Sequence, residues 1–205
     1  MSDQTNTVNG VLTSSTLILP KIMRFDNVRL YIFSAAFISL DVLVPWVTHH
    51  FGGVQAGSIF LPMFFFILLA GLLAGWRAGL VVGLLTPLIS FGVSGMPLLA
   101  ILPQISMECA IYGLVVGLLR ERFHLRVVWS LLGAIISGRL ARLALTSLFF
   151  LFYGGEISPF AYIWLVVLQG LPGVAIQLTL IPLVVRIAEK QYHRRPHRNR
   201  QFNRA

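Results

Sequence analysis

Apolar segments of about 20 residues, each close to the length that crosses a hydrocarbon core of roughly 30 Å, follow one another along most of this chain. Of its 205 residues, 57% are hydrophobic and only 11% charged, and the mean hydropathy is +0.82. That lies well outside the range of a soluble domain of this length. A water-soluble fold has no interior large enough to hide so much apolar surface, so the expected class is an all-α integral membrane protein.

Glycine, proline and charge divide the apolar run into six expected transmembrane helices, over residues 27–48, 59–76, 78–93, 102–119, 127–153 and 161–187. The glycines of His49-His50-Phe51-Gly52-Gly53 suit a loop after helix one, and Gly95-Met96-Pro97 suits another after helix three. Arg77 marks a tight turn between helices two and three, residues 120–126 form a charged loop, and Gly154-Gly155-Glu156 precedes helix six. The expected organisation is a leader over 1–24, a membrane domain over 25–189 and a basic tail over 190–205.

A net charge of +9 would raise nucleic-acid binding in a soluble protein. Here the placement of the charge argues against it. With both termini in the cytoplasm, every one of the 16 basic residues except Arg139 and Arg142 falls on the inner side, as the positive-inside rule requires. An odd number of spans would separate the basic leader from the basic tail. The tail, with Arg194, Arg195, Arg198, Arg200 and Arg204 beside His193 and His197, reads as a topology signal against lipid headgroups. Pro196 between those histidines argues against a helical metal pair. The apolar stretch Leu17-Ile18-Leu19 in the leader is too short for a signal-peptide core.

Charges at membrane depth need a partner or a wet cavity, and so mark functional sites. The sequence holds four: Asp41, Glu108, Arg139 and Arg142. Asp41 and Glu108 each lie about seven residues, roughly 10 Å, from the expected outer end of their helix. Gln104, Glu108 and Tyr112 are spaced i, i+4, i+8 and share a face, as do Thr86, Ser90 and Ser94 on helix three. Arg139, Arg142 and Thr146 form a stripe on helix five, and Gln169, Gly173 and Gln177 one on helix six. Four inward stripes would line a cavity for a polar molecule of a few hundred daltons. Its expected lining is Asp41, Thr86, Ser90, Gln104, Glu108, Tyr112, Arg139, Arg142 and Gln169, with Trp46 and His49 near the mouth. The plainer alternative is an internal salt bridge between these acids and arginines, with Ser and Thr bonded to backbone carbonyls.

Catalysis has no footing: neither a GxSxG serine nor an HExxH helix is present. The single cysteine, Cys109, lies in an apolar run and builds neither a disulfide framework nor a metal cluster. No GxxxxGK[ST] loop is present either, so energy for pumping would come from a partner or an ion gradient. Small residues recur at four-residue spacing, at Ala35 and Ser39, Gly71 and Gly75, Gly79 and Gly83, and Gly113 and Gly117. Such pairs let helix backbones approach closely. A membrane scaffold of a cell-shape complex and a stand-alone ion-coupled carrier are the alternatives to an importer subunit.

A set of motifs between Tyr31 and Arg120 sharpens this. Gly57-Ser58-Ile59-Phe60-Leu61-Pro62-Met63, Ala70-Gly71, Gly79, Gly83-Leu84-Leu85-Thr86-Pro87, Ser90, Gly95-Met96-Pro97, Pro103, Glu108 and Tyr112-Gly113 occur in an order and spacing that resembles the substrate-binding S component of energy-coupling factor (ECF) transporters. Residues beyond 120 match only in hydropathy and length. The resemblance implies a six-helix subunit in a prokaryotic cell membrane that binds a water-soluble vitamin or related micronutrient near the outer face. It further implies a transmembrane coupling subunit and two cytoplasmic ATPases as partners, with ATP used there and no cofactor in this chain. In that family small-residue stripes on helices one and three face the coupling subunit, which here falls on Ala35, Ser39, Gly79 and Gly83. Two departures stand out. The usual stripe is Ala-x-x-x-Ala, and Phe64-Phe65-Phe66 stands where relatives often carry a His and then a Pro, implying a more apolar corner of the pocket.

Overall fold

The computed structural model describes residues 28–60, 62–95, 97–153 and 158–194. The leader, most of the basic tail, Met96 and the 154–156 loop lie outside them. Among the described residues there are six α-helices and no strands: α1 (Val28–Phe60), α2 (Pro62–Ala74), α3 (Trp76–Ser94), α4 (Leu102–Glu121), α5 (Val127–Tyr153) and α6 (Pro159–Arg194). Four spans, Trp76–Ser94, Leu102–Glu121, Val127–Phe152 and Pro159–Ala188, are long and apolar enough to cross a membrane; the apolar stretches Leu30–Val44 and Met63–Ala74 are shorter.

The expected loop at His49–Gly53 is not there. The chain stays helical through 49–60, because Gly52, Gly53 and Gly57 each weaken a helix by only about 1 kcal/mol and none removes a hydrogen bond. The break falls instead before Pro62, the first residue of α2, where a missing N–H leaves nothing unsatisfied. The turn assigned to Arg77 is made two residues earlier. Gly75 takes φ 87° between α2 and α3, a region closed to most side chains, and Arg77 already belongs to α3. Gly95 ends α3 at φ 70°, its N–H donating to Phe91 O at 2.8 Å.

Helix α4 is the hub, packed on α2, α3 and α5. Its closest neighbour is α3, and glycine explains the approach. A β-carbon on Gly79 would strike the carbonyl of Gly113, one on Gly113 would strike that of Gly79, and Gly83 is covered in the same way by Cys109. Gly79 and Gly83, expected on an outward docking face, are instead buried in this contact. Around it Ile67, Leu68, Leu72, Val82, Val116, Leu131, Ile181 and Val185 form the dry core. The outer faces of α5 and α6 expose Leu151, Phe152, Phe160 and Trp164, as helices facing hydrocarbon do. At the other end of α4, Arg120 donates through Nη1 to Leu125 O at 3.0 Å, closing the 122–126 loop.

Candidate functional site

The polar residues of α4 point at α5 because the i, i+4 stripe faces the seam between them. Glu108 is wholly buried and each of its carboxylate oxygens is engaged. Oε1 accepts the Tyr112 hydroxyl at 3.0 Å and lies 2.9 Å from Arg139 Nη1. Oε2 accepts from Arg142 Nη1 at 2.9 Å. The Arg139 contact is an ion pair without hydrogen-bond alignment, since its buried Nη1 makes no hydrogen bond. Arg142 also donates through Nη2 to the Tyr162 hydroxyl at 2.9 Å, its guanidinium carbon 5.6 Å from that ring's centroid.

Three helices therefore meet in one cluster: α4 supplies Glu108 and Tyr112, α5 the two arginines that pair with Glu108, and α6 Tyr162, which reaches it through Arg142. The side chains of Arg142 and Arg139 are 7% and 11% exposed, so these pairs are hardly screened by water. A charge-assisted hydrogen bond in such surroundings is stronger than a neutral one. Phe64 closes the α2 side, its ring edge-on to Tyr112 at 4.9 Å between centroids. The first of the three phenylalanines thus makes that corner apolar.

A second polar contact joins α1 to α3. Thr86 donates its hydroxyl to Asp41 Oδ2 at 3.3 Å, while the buried Oδ1 of Asp41 has no partner. Ser90, one turn on, is buried, and so is Gln104, one turn before Glu108. Asp41 forms no ion pair with either arginine among the described residues.

The structure thus brings Glu108, Tyr112, Arg139 and Arg142 together, and Asp41 with Thr86. It places Gln169 on an exposed part of α6, not enclosed as expected, while Gln177 of the same stripe is buried. The side chains of Trp46 and His49 lie outside the described part of α1. Tyr162 is the residue that the sequence did not disclose, since one tyrosine near a helix start carries no signal of its own. Ala35 and Ser39 are exposed and border a groove of about 590 Å³ between α1 and α3, lined also by Ile38, Val42, Val81 and Leu85.

The model of the ECF transporter substrate-specific component family matches residues 7–185, most of the chain and all of the clusters above. Among curated proteins and solved structures, none matches the chain significantly.

Proposed function

We propose, since this chain belongs to the family of ECF transporter substrate-specific components, that it captures a water-soluble vitamin or related micronutrient outside a prokaryotic cell and hands it inward. A transmembrane coupling subunit and two cytoplasmic ATPases drive the step, and ATP is used there. In this reading all six helices span the membrane and both termini are cytoplasmic. The observation that carries it is the Glu108, Tyr112, Arg139, Arg142 and Tyr162 cluster, a group of polar side chains enclosed at membrane depth within the matched region. Asp41, Thr86, Ser90 and Gln104 extend the same lining, with Trp46, His49 and Gln169 at its margin.

The partner's place is the groove between α1 and α3. Its apolar walls, with the small residues Ala35 and Ser39 on one edge, suit a helix of a coupling subunit, because small residues permit close approach within a membrane. Gly79 and Gly83 have no part in this surface; they hold α3 against α4.

The test is a thermal-shift panel of water-soluble vitamins and precursors on the chain purified in detergent, with Glu108→Gln and Arg142→Ala beside the native protein. A ligand that binds only the folded state raises the unfolding temperature by mass action. Stabilisation that weakens in Arg142→Ala and changes in Glu108→Gln supports the reading, and silence from folded protein across the panel sinks it. One observation favours a scaffold instead: both oxygens of Glu108 are already bound from within, as a strut requires. Co-purification with morphogenetic proteins and without ATPases would select that reading.

A further inference from the structure

We infer that the cluster around Glu108 takes a solute bearing one negative charge, a carboxylate held by Arg142 and Thr146; this rests on the solute-binding reading and deepens it. The charge count points that way. Arg139 and Arg142 both pair with the one carboxylate of Glu108. No second acid pairs with either among the described residues. Within this cluster one positive charge is left over, almost out of reach of water, where an unbalanced charge is costly; Asp41, the other buried acid, is bonded to Thr86 across the α1–α3 contact and pairs with neither arginine.

The unmatched atoms are donors. A guanidinium offers five N–H groups in a planar fork and accepts nothing. Arg142 uses Nη1 on Glu108 and Nη2 on Tyr162, while its Nε is buried without a partner. Thr146, four residues on and therefore on the same face of α5, has a buried hydroxyl that also lacks one. The α5 wall thus lacks an acceptor that carries negative charge, and a carboxylate has two oxygens to offer.

Other chemistries fit worse. A neutral amide supplies an acceptor but no charge, a cation adds to the excess, and a phosphate dianion overshoots by one. A lipid headgroup would have to descend from the end of α5 to Arg142, eleven residues or about 16 Å inside.

The experiment uses the full chain in detergent without added lipid. Nicotinate and benzoate are the charged probes, nicotinamide and benzamide their neutral counterparts, and the unfolding temperature is read against concentration. The acids should stabilise the protein and the amides should not. Thr146→Val, which keeps the shape and loses the donor, should weaken the acids about tenfold, as befits one hydrogen bond to a charged group. Arg142→Lys keeps the pair with Glu108 and removes Nε, and should weaken them too if Thr146→Val does not fold. Equal stabilisation by the amides overturns the anion assignment and leaves solute binding standing. So does a response confined to cationic or uncharged vitamins of the wider panel. Silence from the acids, the amides and the wider panel together overturns both.

Discussion

The ring of Tyr112 on α4 occupies the place that a β-carbon on Gly138 of α5 would need. Gly138 is thus the recess that seats Tyr112 beside Glu108, and the absence of a side chain there sets the geometry of the whole cluster. Gly138→Ala should displace the ring and destabilise the protein by about 1 to 3 kcal/mol, the usual range for overpacking. Thermal unfolding in detergent measures it; an unchanged midpoint would mean that the two helices are less closely fitted than described.

Removing the shared carboxylate tests how the cluster is held together. Glu108→Gln leaves two buried guanidiniums facing a neutral amide and should destabilise by about 3 to 5 kcal/mol, the range for breaking a buried pair from one side. Adding Arg142→Met should recover part of that loss, because fewer uncompensated charges stay behind. A double variant less stable than the single one would contradict the pairing.

At the α3–α4 contact, Gly79→Val would force a β-carbon and its two methyls into the Gly113 backbone. The expected result is loss of folded, monodisperse protein on size-exclusion chromatography, since backbone cannot yield as a side chain end can. Gly92, where an added β-carbon would meet nothing within 4 Å, is the control: Gly92→Ala should fold normally.

On the groove between α1 and α3, Ala35→Leu and Ser39→Leu should strip most of the co-purifying ATPase from the complex. The ligand-induced thermal shift of the isolated chain should stay as it was, because both residues are exposed and remote in contact from Glu108. Loss of the shift together with the partner would place Ala35 and Ser39 in the ligand site instead.

The sequence disclosed the centre of the polar cluster well and its surroundings poorly. Glu108, Arg139 and Arg142 were legible because a charge inside an apolar run cannot be idle, and Tyr112 because four-residue spacing sets it beside Glu108 on one helix. The bounds of α3, α4 and α5 fall close to expectation, where proline, glycine and charge mark the ends. The end of helix one was illegible, since glycines only weaken a helix and Pro62 alone fixes where the next one starts. Gly79 and Gly83 show a different limit. Spacing reveals that a helix face is small, but not which neighbour it meets, and here the neighbour is α4 within the same chain. The bond between Thr86 and Asp41 and the one between Arg142 and Tyr162 depend on which helices are adjacent, and no local pattern encodes that.

The backbone-to-backbone seam between α3 and α4 has a mechanical consequence. Where side chains interdigitate, two helices can slip by changing rotamers; where carbonyl meets α-carbon, no such play exists. The pair therefore behaves as a single stiff beam, with the groove residues Val81 and Leu85 along one edge and Glu108 along the other. A load applied at the groove would therefore pass to the Glu108 carboxylate through backbone rather than through side chains that can change rotamer.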